Sequence, residues 1–189
     1  MTPQKTSVEA TKETPIYQLK ITLKELKLPI WRRVLIPGTM TLNKLHRSLQ
    51  IVMGWDYHLH FFTIGKELYG VPELGCNFGV REKDDRKYKL QDVVPVVKIK
   101  FLYVYDFGDD WIHEILVEKI LPSYKEIKHP VCLGGKFAGS PENSGGIWGY
   151  ADMIEVLNDP EHENYESVKE WRGEDFDPEF FDIEAVNPG

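Results

Sequence analysis

The stretch Tyr105-Asp106-Phe107-Gly108-Asp109-Asp110-Trp111-Ile112-His113 decides how this 189-residue chain is read. On both sides of it, residues alternate with the two-residue period of a half-buried strand. Upstream, from Val96 to Asp106, Val97, Ile99, Phe101, Tyr103 and Tyr105 share one face; downstream, from Trp111 to Leu121, Trp111, His113, Ile115 and Val117 do. Phe107-Gly108-Asp109-Asp110 joins the two runs. Gly supplies backbone angles that other residues avoid and Asp tolerates them, so a β-hairpin is expected.

The same period marks Tyr17, Leu19, Ile21 and Leu23 as a first strand, and Ile30 to Ile36, closed by Pro37-Gly38, as a second. Arg32 and Arg33 point to opposite faces of that second strand, so one lies on the core side and calls for a partner, expected to be a carboxylate. Thr41 reads as a helix N-cap. Leu42, Leu45, Leu49, Val52 and Met53 follow helical spacing, and Gly54 stands where a C-terminal cap belongs. His46 falls on or beside the apolar stripe: a core-edge histidine bonded to backbone, or a site residue at the helix edge. His58, His60, Phe62 and Ile64 share a face of the next strand, and Gly65-Lys66 turns into Leu68 and Tyr69.

Two long loops are expected, Gly70–Asp92 and Pro122–Gly149. The mixed charges of the first, Arg81 to Lys87, read as a solvated surface. Helices are expected at Tyr150–Leu157 and Glu163–Trp171, the latter ending at Gly173, with a short turn at Asp177-Pro178. Strands precede and outnumber helices. The expected class is therefore α+β, with a mainly antiparallel sheet and about three helices, one between early strands and the rest C-terminal. Residues 1–14 are polar and aperiodic and read as a disordered tail, with one domain over 15–189.

The net charge of −7 argues against broad, charge-driven nucleic-acid binding, which needs clustered Lys and Arg. Cys76 and Cys132 form no CxxC pair, so no zinc ribbon or thioredoxin-type site can be written. Two such cysteines fit a reducing, cytoplasmic setting. No run of about 18 apolar residues is present, so a membrane partner is not expected.

Several spaced motifs carry a resemblance. Pro29-Ile30-Trp31-Arg32-Arg33, Leu45-His46 with Met53-Gly54-Trp55, His58-Leu59-His60-Phe61, the Tyr105–His113 stretch, and Pro141-Glu142 before Gly145-Gly146 occur in order. Together, over about Ile16 to Asp182, they resemble the plasmid pRiA ORF-three-like family. The resemblance implies a compact α+β domain without an established biochemical activity, associated with plasmids and transposons. Similar proteins commonly read Ala-Cys-Pro-Pro-Glu-Asp-Cys-Gly-Gly in the second long loop. Here it is Ala138-Gly139-Ser140-Pro141-Glu142-Asn143-Ser144-Gly145-Gly146. Both cysteines are gone, so no thiolate zinc site is expected.

Two chemistries are open. Carboxylate plus imidazole suits a divalent ion that activates water, and His58, His60, Asp106, Asp109 and His113 are the candidate ligands. Against this stands a local role, in which Asp106 or Asp109 caps turn N–H groups and His113 stacks on an aromatic ring. The second chemistry is binding: an aromatic cleft with a few carboxylates, its candidate pocket residues His46, Arg33, Tyr105, Trp111, Glu142 and Trp148. It suits a small molecule, protein or peptide better than nucleic acid. Asp106-Phe107-Gly108 and Gly108-Asp109-Asp110 match kinase and polymerase metal tripeptides, but none of the accompanying motifs is present. The leading expectation is a non-enzymatic binding or interaction domain of plasmid or mobile-element origin. The alternative is a divalent-metal-dependent, hydrolase-like site at the hairpin. The cofactor is accordingly none or a divalent metal.

Overall fold

The computed structural model describes residues 14–56, 58–72, 82–122, 127, 129–173 and 176–187. The expected N-terminal tail, apart from Thr14, and Cys76 lie outside them. In chain order the elements are β1 (Ile16–Leu23), β2 (Trp31–Pro37), α1 (Leu42–Met53), β3 (His60–Ile64), β4 (Glu67–Gly70), β5 (Lys83–Asp84), a 3-10 turn (Asp85–Lys87) and α2 (Leu90–Val93). There follow β6 (Lys100–Tyr105), β7 (Trp111–Leu121), β8 (Val131–Lys136), α3 (Gly146–Leu157) and α4 (Tyr165–Arg172). The strands form one sheet in the order β5-β4-β3-β6-β7-β1-β2-β8. Every neighbouring pair is antiparallel except β4 and β5. The architecture is α+β.

The alternation seen in the sequence becomes a two-sided sheet. The register aligns Val34 with Leu19, Leu19 with Val117, Ile115 with Phe101, Tyr103 with Phe62 and Phe62 with Tyr69. These side chains line a single buried face, and Leu45 and Leu49 of α1 with Ile147, Tyr150 and Met153 of α3 complete the core. Each buried aliphatic side chain contributes roughly 1.5–3 kcal/mol. The other face is polar: Lys100 pairs with Glu114 at 2.9 Å, and Arg33 forks onto Glu118 at 2.7 and 2.9 Å. Thr41 caps α1, and Gly54 closes it in the left-handed region at φ 78°.

Four expectations need correction. The buried arginine is Arg32, and among the described residues it meets no carboxylate. Its guanidinium donates to the carbonyls of Val52 (2.8 Å), Trp31 (2.9 Å) and Lys136 (3.0 Å), and it stacks over Phe181 at 3.9 Å. The first charged loop is not simply solvated, because Asp85 is completely buried. The second long loop contains β8 and the first turn of α3. Its strand passes unseen in the sequence because Gly134 and Gly135 interrupt it. A β-carbon on Gly135 would stand 2.7 Å from the Phe181 ring, so that glycine is a packing requirement. His46 bonds to a side chain, the Tyr103 hydroxyl at 2.8 Å, and not to backbone.

Edge strand β8 is covered by a side chain. Asn187 accepts from the Cys132 N–H and donates to the Cys132 carbonyl, both at 2.8 Å, as a neighbouring strand would. Cys132 is a buried free thiol.

Candidate functional site at the hairpin end

Antiparallel pairing of β3 with β6 sets Tyr105 opposite His60, and the Asp106 N–H donates to the Leu59 carbonyl at 2.9 Å. His58, two residues before β3, therefore stands beside Asp106, the residue just after β6. Glu142 reaches the same place from the glycine-rich loop, which packs against the end of α1. A β-carbon on Gly139 would overlap the Met53 carbonyl oxygen. Gly146, at φ 68°, lies so close to the hairpin turn that a β-carbon would stand 2.5 Å from the Asp109 carbonyl oxygen.

His58, Asp106 and Glu142 present one donor atom each, all within 4.8 Å of one another. Each carboxylate has one oxygen held by backbone or side-chain donors and the other turned toward His58. Glu142 Oε1 accepts from the Tyr105 hydroxyl (2.6 Å) and the Asp56 N–H (2.8 Å), whereas Oε2 is buried, accepts no hydrogen bond and faces His58 Nε2 at 3.4 Å. Asp106 Oδ1 accepts from the Gly108 N–H at 2.9 Å, whereas Oδ2 faces His58 Nδ1 at 3.6 Å. These imidazole distances exceed those of a hydrogen bond, typically about 2.7–3.2 Å. The two carboxylates face different nitrogens of the ring, so a shared ion would use only one of those nitrogens, within a group of three donor atoms that lie within 4.8 Å of one another. Asp106 holds a positive φ of 57°, a conformation that aspartate tolerates but that stores some strain. Trp55 supports the assembly: its ring stacks on Tyr105 at 4.4 Å and its indole N–H donates to the Ser140 carbonyl at 2.8 Å. Burial, first, and then the bond to Glu142 push the Tyr105 phenol far above its ordinary pKa, so it stays protonated and donating.

Of the five candidate ligands, the structure brings His58 and Asp106 together and sends the others elsewhere. His60 is buried, pairs with Asp85 at 2.8 Å and stacks flat on His46 with ring centroids 3.5 Å apart. Burial, reinforced by the neighbouring His60 and Arg47, pushes the His46 pKa down to about 2, so His46 is neutral and serves as a packed partner of Tyr103. His113 is fully buried, its ring edge-on to Trp55 at 5.0 Å, with no well-aligned hydrogen bond to either nitrogen. Burial pushes its pKa down to about 4, and the nearby backbone of Tyr103 and Trp111 offsets this only in part. Asp109 Oδ2 is buried and unpaired, outside the three-donor group.

Of the pocket candidates, Tyr105 and Glu142 belong to the site and Trp111 is wholly buried beneath it. Arg33 lies on the opposite sheet face. Trp148, 85% exposed, lines a separate groove of about 730 Å³ with Leu26 and Leu28. A second cleft, about 520 Å³, runs from Glu142 past Ser140 to Trp171, Arg172, Phe176 and Phe180. The sequence carried no signal for Ser140 or Arg172 as cleft residues, because only the packing of α4 beside the loop brings them together.

Over residues 15–185 the chain matches the family described as plasmid pRiA4b ORF-3-like protein. It belongs to that family. Within the pRiA4b ORF-3-like group, the chain is 35% identical over 175 residues to the uncharacterised protein y4hQ of Sinorhizobium fredii, covering 91% of this chain and 89% of that one. The crystal structure of a protein of unknown function from Methanosarcina mazei Go1 superposes with a TM-score of 0.82 at 40% identity, covering 92% of this chain and 97% of the other. The pRiA4b ORF-3-like fold is thus seen experimentally in a relative. Among the described residues, no helix of this member is long and apolar enough to cross a membrane.

Proposed function

We propose that this protein is a ligand-binding domain whose centre is a divalent cation held by His58, Asp106 and Glu142. The observation that carries this is the convergence of three donor atoms within 4.8 Å of one another, with Glu142 Oε1 pinned by protein donors while its buried Oε2 has no hydrogen-bond partner and is turned toward His58. Ligands about 2.1 Å from a shared ion stand about 3–4.2 Å apart, a range the donor atoms reach with a small contraction. Tyr105 and Asp56 act on Glu142 as outer partners that fix a metal ligand's orientation. One imidazole and two carboxylates suit Mn²⁺ or Zn²⁺ better than a soft-metal site.

A second reading is metal-assisted hydrolysis. It is favoured by the donor count, since three protein ligands leave positions open for water and substrate. The plasmid association in the family's description supports a mobile-element origin, and the two widely spaced cysteines support a cytoplasmic setting; both belong to the same proposal.

The test is isothermal titration of the purified protein with Mn²⁺ and Zn²⁺. One saturable equivalent is expected, weakened at least tenfold in Glu142→Gln and in Asp106→Asn, both measured on variants whose melting temperature without metal is near that of the parent. Absence of binding by the parent, or equal binding by both variants, ends the cation reading.

A further inference from the structure

The cleft that begins at Glu142 is lined by two residues whose buried polar atoms have no hydrogen-bond partner among the described residues. Ser140 is only 2% exposed, and its hydroxyl has no hydrogen-bond partner. Arg172 ends α4, and its buried Nε–H has no acceptor. Its guanidinium lies over the Phe176 ring at 4.1 Å. Both residues line the cleft, with these two atoms just beneath its surface. A hydroxyl that has left water without a partner costs roughly 1–3 kcal/mol, and an unpaired guanidinium N–H more. A ligand or an ordered water in the cleft would supply the missing partners.

We propose that this cleft binds an organic anion, a carboxylate or phosphate monoester on a flat apolar body. Its charged oxygens accept from Arg172 and Ser140, and its body lies between Trp171 and Phe180. Donor chemistry selects the charge: a guanidinium and a hydroxyl both offer hydrogens, so the ligand must offer acceptors. Two carboxylates, Asp177 and Glu142, also line the wall and oppose an anion; Asp177 Oδ1 accepts from the Glu179 N–H at 2.8 Å and Glu142 is turned toward His58, so the contacts to Arg172 and Ser140 must outweigh them. A cationic ligand would face Arg172, which already occupies the Phe176 face. Trp171 and Phe180 are 55% and 61% exposed and contribute apolar surface to the cleft lining. A volume of about 520 Å³ fits a small-molecule site. Contact between the anion and the cation beside Glu142 rests on the reading above; the contacts to Arg172 and Ser140 do not.

The experiment is calorimetric titration of the full chain with phenyl phosphate, benzoate and inorganic phosphate, each with and without saturating Mn²⁺. At least one aryl anion is expected to bind saturably. Binding should weaken tenfold or more in Arg172→Gln, several-fold in Ser140→Ala, and less in Arg172→Lys, which keeps the charge but loses the fork. Mn²⁺ affinity should not change in any of the three. Failure of both aryl anions to bind, or equal binding by Arg172→Gln with an unchanged melting temperature, overturns the proposal even if Mn²⁺ binds. Equal affinity for inorganic phosphate removes the flat-body part. If Mn²⁺ does not bind but aryl anions do, and lose affinity in Arg172→Gln, the anion site stands and the cation reading falls.

Discussion

At the scale of single residues, the Tyr105 hydroxyl and the Asp56 N–H together orient the candidate ligand Glu142. Tyr105→Phe removes the 2.6 Å bond to Oε1 but keeps the ring stacked on Trp55. Mn²⁺ affinity is expected to fall roughly tenfold, because outer partners of this kind are typically worth 10–100-fold in metal affinity. An unchanged titration curve would show that the Tyr105 hydroxyl does not orient a metal ligand. His113 makes a different prediction. Its folded pKa, about 4, lies below the ordinary value near 6.5, so the unfolded chain takes up the proton first. This stability is fully present above about pH 6.5 and is lost as pH falls through about 4, and it amounts to about 3 kcal/mol at most. His46, pushed down to about 2, acts in the same direction. Urea midpoints between pH 7 and pH 4.5 should drop less steeply for His113→Leu than for the parent; parallel curves would refute the assignment. Arg32→Met strips donors from three carbonyls, and a loss of roughly 2–4 kcal/mol in urea unfolding is expected.

At the scale of elements, what was legible followed from locality. The β6–β7 hairpin and α1 are announced by period and caps, since their decisive interactions lie within a few residues. β8 and the start of α3 were not legible. Their glycines discourage any local assignment, and their partners, β2 and the hairpin turn, are distant in the chain. The glycine-rich loop is nonetheless a structural element in its own right, because its packing carries Glu142 to the hairpin. Gly139→Ala forces the loop off the Met53 carbonyl. The melting temperature and the Mn²⁺ affinity are both expected to fall; a normal affinity would mean that Glu142 reaches the site without this packing. The start of β6 gives a smaller lesson. The alternation runs from Val96, but Lys98 at φ 67° breaks the strand, which forms a regular ladder only from Lys100.

At the scale of the whole molecule, the sheet order places β7 between β6 and β1, deep in the ladder, and leaves β5 and β8 at the edges. Amide exchange is expected to be slowest in β1, β6 and β7 and faster in β8, whose outer neighbour is a single asparagine side chain. A cation at the hairpin end would stabilise the folded state by about 2.7 kcal/mol at a hundredfold excess over its Kd. The melting temperature should then rise with Mn²⁺ in the parent and stay flat in Glu142→Gln.

By itself the sequence determined the α+β class, the central hairpin, the capped first helix and the family, because these rest on short-range periodicity and on motifs in fixed order. Only the tertiary structure decided which of the dense Asp, His and aromatic residues around Tyr105–His113 meet. His113 and His60 turn into the core, where burial keeps His113 neutral and Asp85 pairs with His60. His58 and Asp106 stay at the rim, because β3 and β6 run antiparallel and end side by side. Glu142 joins them from far along the chain through a loop whose glycines allow backbone to touch backbone. Long-range contact of that kind leaves no period in the sequence, which is why the hairpin was visible from the residues alone and the composition of its site was not.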